Sequence, residues 1–412
     1  MGRIRRYLTF WMVLLVTASL IITGCDQGSD QAGTSSKNET LKIGLIVPWT
    51  GALGSMGLPA KNGALVAEKV INDAGGVEIK GKKYDIKLIP YDDGSVPDKA
   101  VSATQKLINE DGVKVIFGAL GSASTLALSP VTESTQTLLV TVSTAAELIG
   151  PDKKLTIRPN FLNDQVIKAI VPYYKNELGL KKVAMIVRND AWGISAEETF
   201  IKEFKKNGVE VIAKEVIETT STDFNTPLTK LRSSNPDALV LAAYPDQAGL
   251  IKKQQVEIGW DIPTLAQGQP VAGQAFTQLG GPAVEGHLDY DTLGNHRKDD
   301  PKVKEFAAKF EEMFKSPPTG QAFRYFDIVN MIIESMKNAD STTDPLKIRN
   351  AFTELEYKGL DMLTYRFEKS GQLLPQGVIV KMNADGSSTP LTMVELDKDG
   401  EPTFTDWKDV AK

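Results

Sequence analysis

The sequence predicts an α/β protein made of two lobes, each a parallel sheet wound on both faces by helices. Three observations carry this reading. The chain has 412 residues, 42% hydrophobic and 24% charged, a globular composition at two-domain length. Short apolar runs alternate with helical stripes, the pattern of strands joined by helical crossovers. The alternation also breaks off near residue 160 and then restarts.

The first 25 residues read as an address rather than a fold. Residues 1–6 carry three arginines and no acid, residues 7–22 are free of charge, and Thr23-Gly24-Cys25 follows. A basic start, a short apolar run and small residues before a cut site describe a secretory signal, and 16 uncharged residues are fewer than a spanning helix needs. The segment resembles a bacterial lipobox, which implies cleavage after residue 24 and lipid attachment at Cys25. The mature chain would then hold 388 residues, with 44 basic against 52 acidic side chains. Residues 25–40 read as a flexible tether. The expectation is an exported protein, bound to a bacterial membrane through lipid on its periplasmic or extracellular face.

Residues 41–47 form the first strand-like run. A helical stripe follows at Ala60, Ala64, Ala67, Ile71 and Ala74 and stops at Gly75-Gly76. Tyr84, Ile86 and Leu88 alternate with Asp85 and Lys87, as in a strand with one wetter face. Pro97 opens a helix that carries Ala100, Ala103 and Leu107, with Gly112 just past its end. Residues 113–117 and 138–142 are two further strands around a helix near 122–133. The second set places helices at 166–178, 195–207, 222–233 and 247–258, with strands at 183–187, 209–216, 238–242 and 263–266. From Pro301 the chain is helix-rich, and it closes with strand-like runs at 363–367 and 378–382.

Ligands of open parallel sheets bind beyond the carboxyl ends of the strands. The candidate site is therefore the loops at 48–57, 118–125, 143–147, 188–195, 243–249 and 267–273. They hold Trp49, Trp192 and Tyr244, rings that suit an apolar or planar ligand, and hydroxyls at Ser122, Ser124, Ser143 and Thr144. Ser122 or Ser124 is expected to cap the helix that starts there. Its free N–H groups would then face the opening, where a carboxylate is stabilised without an arginine.

Other function classes find little support. A net charge of −5 argues against gripping nucleic acid, and one cysteine with two histidines leaves no disulfide framework and almost no route to a His/Cys metal cluster. Gly51, Gly54 and Gly57 lack the G-x-G that admits a pyrophosphate. Neither a P-loop nor a G-x-S-x-G elbow is present, and His287 and His296 are placed outside the strand-end loops. Asp92-Asp93 and Asp299-Asp300 read as solvated acids or helix starts. No cofactor, metal or catalytic group is expected.

The ordered series Lys42-Ile43-Gly44-Leu45, Thr50-Gly51, Gly57, Gly63-Ala64, Ile71-Asn72 and Gly75-Gly76 resembles the start of the branched-chain amino acid binding proteins of ABC transporters. Tyr91-Asp92-Asp93, Pro97, Gly118, Ser122, Ser124-Thr125, Asp190 and Gly193 extend the likeness. The resemblance implies the type I periplasmic binding protein fold: two Rossmann-like lobes, three crossovers and a cleft that closes on a small molecule. It implies lobes at 41–158 plus 288–374 and at 159–287 plus 375–412. By the same resemblance Ser122, Ser143 and Thr144 hold a ligand carboxylate while Trp192 and Tyr244 face it. Gln269 stands where an acid commonly meets the ligand's ammonium, so either Asp190 or Asp246 substitutes or the ligand is no α-amino acid. The implied partners are a small amino acid or related carboxylate and an ABC permease, with the chain a monomer. A receptor for aromatic acids or amides that feeds a signalling partner is the alternative, and a surface-tethered enzyme is the remotest.

Overall fold

The computed structural model describes residues 38–410 except 269, 363, 375 and 398–400. The signal segment, Cys25, the first part of the tether and Gln269 lie outside the described residues.

Residues 39–157 supply the first sheet. Its strands are β1 (Glu39–Ile46), β2 (Val77–Ile79), β3 (Lys82–Tyr91), β4 (Val115–Phe117), β5 (Leu138–Val140) and β6 (Thr156–Ile157), in the order β2-β3-β1-β4-β5-β6. All pairs are parallel except the short hairpin β2–β3. Between the strands run α1 (Gly54–Asp73), α2 (Pro97–Asn109) and α3 (Ser122–Ser134). The stripe of small residues on α1 is buried at Ala60, Ala64 and Ala67, as its spacing predicts.

The second sheet has α4 (Asn163–Leu178), β7 (Lys182–Arg188), α5 (Ala191–Lys206), β8 (Glu210–Ile217), α6 (Asn225–Ser233), β9 (Ala238–Ala242), α7 (Pro245–Glu257), β10 (Thr264–Leu265), α8 (Ala275–Gly280) and β11 (Leu288–Asp291) in chain order. The chain then returns to the first lobe for α9 (Pro301–Phe314), α10 (Gly320–Asn338) and α11 (Pro345–Thr353). It ends in the second lobe with β12 (Gln376–Met382), β13 (Ser388–Leu396), β14 (Pro402–Asp406) and α12 (Trp407–Val410). The order of this eight-stranded sheet is β14-β13-β12-β11-β10-β9-β7-β8. Strands β7 to β11 pair in parallel, whereas β12, β13 and β14 add an antiparallel edge.

Helix α10 belongs to the core of the first lobe although it lies far from α1 in sequence. A Cβ on Gly63 of α1 would lie 2.1 Å from the Ala322 carbonyl oxygen of α10, so only glycine permits this approach. In the second lobe, Ile167, Ile170, Phe200 and Phe204 cover one sheet face, and Leu228, Leu231, Ile251 and Phe276 cover the other.

Two crossovers are hydrogen-bonded to each other: Arg158 N–H donates to Gly371 O at 2.9 Å, and Leu373 N–H donates to Arg158 O at 3.1 Å. The expected return to the first lobe at residue 288 shifts to beyond Asp291, because β11 is bonded between β10 and β12. The run at 363–367 does not form a strand. Tyr365 and Phe367 make only isolated bridges, to Tyr357 and Leu373. No helix among the described residues is long and apolar enough to cross a membrane.

Candidate functional site

The carboxyl ends of both sheets face one cleft between the lobes. Its first-lobe wall includes Leu53, Met56, Leu120, Ser122, Val142 and Thr144, and its second-lobe wall includes Phe161, Trp192, Tyr244 and Tyr290. Asn160, Asp291, Thr292, Gln321 and Arg324 line the region where the chain passes between lobes.

Ser122 is the first residue of α3, not its cap. Gly121 occupies the capping position and no side-chain cap hydrogen bond is made there, so the first-turn N–H groups carry the positive end of the dipole, with the buried Asp93 carboxyl beside Ser124 of the same turn. The expected capping role fails because the Ser122 hydroxyl is drawn elsewhere: Ser143 Oγ–H donates to Ser122 Oγ at 3.1 Å. Ser143 is buried behind the wall, while Thr144 lines it. The loop that carries them is held from within. Thr141 Oγ1 accepts from Ser143 N–H at 3.1 Å, and the Asn160 amide donates to Val142 O.

On the facing wall, Asp190 caps α5 by accepting from Gly193 N–H at 2.9 Å, and its other oxygen accepts from Arg188 Nε at 2.7 Å. A Cβ on Gly193 would come within 2.0 Å of Arg188 O, which shows how tightly the strand turns into the helix. This turn sets Trp192, buried at 2% exposure, with its indole N–H donating to Asn163 Oδ1 at 3.0 Å. The Trp192 and Tyr244 rings lie 5.1 Å apart, and the Arg188 guanidinium sits 4.4 Å from the centre of the Tyr244 ring. Burial raises the Tyr244 hydroxyl well above its ordinary pKa. Phe161 and Tyr290 form an edge-to-face pair at 4.9 Å beside them.

Several lining groups went unseen in the sequence. Arg324 donates from Nε to Asp361 Oδ2 at 2.8 Å and lies 5.2 Å from the centre of the Phe161 ring. Burial works most strongly against its charge, but Asp361, with Tyr365 and Tyr290, together outweigh burial and raise its pKa. Asn160 Oδ1, Tyr290 Oη and Gln321 Oε1 are buried without a hydrogen-bond partner. Unpaired polar atoms converging on one space mark a ligand-facing surface, since leaving them dry is costly. Asp291 also lines the cleft, but its oxygens accept from Thr292 N–H, Asn295 Nδ2 and His296 Nε2. His296 therefore follows a strand after all, β11, a strand absent from the sequence reading.

Trp49 and the two expected acids are not among the lining residues. Trp49 is half-buried at the edge of the first-lobe core, with Lys61 Nζ 4.4 Å from its ring centre. Both Asp190 oxygens are engaged as above, and Asp246 sits in the first turn of α7 with one oxygen buried and unpaired. Asp92 is a loop organiser that accepts from Trp49 N–H, Thr50 Oγ1 and Gly94 N–H. No group of three or more His, Cys, Asp or Glu among the described residues could hold a metal.

With this geometry in place, residues 40–387 match the family described as periplasmic binding protein. The chain belongs to the periplasmic binding protein family. It is 28% identical over 325 residues to the leucine-, isoleucine-, valine-, threonine- and alanine-binding protein of Pseudomonas aeruginosa, covering 78% of this chain and 84% of that one. It resembles in fold a leucine binding protein from Thermotoga maritima, with a TM-score of 0.78 and 23% identity over 86% of this chain and 98% of that one. A solute binding protein of an ABC transporter from R. palustris, solved in complex with benzoate, gives a TM-score of 0.76 at 20% identity, covering 89% of this chain and 98% of that one. These two likenesses establish the type I periplasmic binding protein fold. The chain is a solute-binding protein and not an enzyme, and its place is outside the bacterial cytoplasm.

Proposed function

We propose that the cleft captures a small carboxylate with an apolar body, an amino acid or a related acid, and that closure of the lobes presents it to an ABC permease. The observation that carries this reading is the α3 helix end, uncapped by any side chain, with Ser122 and Thr144 across from Trp192 and Tyr244. In this reading the ligand carboxylate accepts from the first-turn N–H groups and the hydroxyls, and its body packs on the rings. A ligand that touches both walls favours the closed form by its differential affinity. The lipid anchor at Cys25 and the monomeric state belong to the same proposal.

Aromatic acids form a second reading, favoured by one observation. The one acid among the described residues that lines the cleft, Asp291, is already engaged by Thr292, Asn295 and His296, and both oxygens of Asp190 behind the wall are held by Arg188 and Gly193. A buried ammonium without a free acid is costly, which favours ligands that lack one. Titration calorimetry with leucine, isoleucine, alanine, benzoate and benzamide separates the readings. Binding of the acids and not of the amide supports the carboxylate anchor. Equal affinity for benzoate and benzamide removes it.

A further inference from the structure

Arg158 is completely buried, yet its hydrogen bonds go to neutral oxygens: Nε to Gln372 Oε1 at 2.7 Å, and Nη1 to the carbonyls of Ser143 and Ala145. Its Nη2 is buried with no partner. A guanidinium taken out of water and answered only by neutral groups is an expensive arrangement. Arg158 lines a second, open cavity, apart from the cleft, whose wall also holds Arg349, Lys153 and Lys154. Arg349 donates from Nη2 to the carbonyls of Lys369 and Ser370, at 2.9 and 2.8 Å, and leaves its own Nε buried and unpaired. Four cations thus share this wall with one acid, the exposed Glu368.

We propose that this cavity is a second binding site, for a small oxyanion of the carboxylate or phosphate class, held by Arg158 and Arg349 with Lys153 and Lys154 at its rim. The unpartnered donors, Nη2 of Arg158 and Nε of Arg349, are buried in the free protein and are the groups that such an anion, settling between the two side chains, satisfies. Burial pushes the Arg158 pKa down to about 9, with Asp164 and Glu147 working against that fall, and a bound anion restores the charged form further. The site is also coupled to the cleft. The Arg158 guanidinium holds the carbonyls on either side of Thr144, and its backbone pairs with Gly371 and Leu373 on a second crossover. Occupancy therefore stiffens the loop that forms the first-lobe wall.

The test is a thermal melt of the full chain in millimolar inorganic phosphate, or acetate, against chloride at matched ionic strength. The expected result is a rise of about 2 °C or more with at least one oxyanion. The Arg349→Gln, Lys154→Gln double variant, which spares the buried Arg158, should lose that rise while still melting cooperatively. Glu368→Gln should enlarge it. Hydrogen exchange across residues 143–149 should slow in the wild type on adding the same anion. No rise with either oxyanion, or an equal rise in the double variant, overturns the proposal.

Discussion

The wall of the cleft contributed by the first lobe is made of small groups on a helix end and a loop, Ser122 and Thr144 above all. The wall contributed by the second lobe is made of rings, and those rings are fastened: Trp192 by its hydrogen bond to Asn163, Tyr244 under the Arg188 guanidinium. The difference teaches a division of labour. Backbone N–H groups and hydroxyls can solvate a charge at little cost in specificity, whereas rigid rings set the shape of what lies against them. Stability and recognition are accordingly entangled on the second wall and separable on the first.

The largest effect that would sharpen this contrast is Trp192→Ala. It empties a buried ring site and strips Asn163 of a donor, so a loss of about 3–5 kcal/mol in chemical denaturation is expected, with ligand binding lost as well. Next comes the Ser122→Ala, Thr144→Ala pair. Calorimetry should read weaker ligand binding by about 1–3 kcal/mol, with a loss of stability of about 1 kcal/mol because the buried Ser143 hydroxyl loses its acceptor. If that pair instead unfolds the protein and spares affinity, the two walls do not divide as described. The smallest effect belongs to Trp49→Ala, which removes the contact with Lys61 at the edge of the core. Stability should fall by about 0.5–1 kcal/mol and affinity should stay the same, since Trp49 does not line the cleft.

Most of the parallel strands could be read from the sequence because burial on both faces leaves nearly unbroken apolar runs, as at residues 41–47 and 238–242, whereas β6 and β11, short and partly polar, could not. Of the antiparallel edge only β12, read at 378–382, could. β14 is almost wholly exposed, with Thr403, Phe404 and Thr405 facing solvent, and β13 is only partly covered, so neither carries an apolar run. The candidate site divides the same way. Ser122, Thr144, Trp192 and Tyr244 follow strands that announce themselves, and all four line the cleft. Asn160, Phe161, Asp291, Gln321 and Arg324 come from crossovers or from a helix returning out of the other lobe, where no local period places a side chain. Trp49 shows the opposite error: a strand-end position does not guarantee that a ring turns inward.

The pairing of α1 with α10 has a consequence for how the molecule comes into being. Gly63 meets Ala322 across more than 250 intervening residues. A polypeptide emerging from its amino end therefore exposes the small-residue stripe of α1 until most of the remaining length has followed. Such distant partnerships are slow to close and leave sticky surface uncovered meanwhile. The lobe that begins first is the one that must wait, and its unfinished side is where a holding chaperone would find its grip.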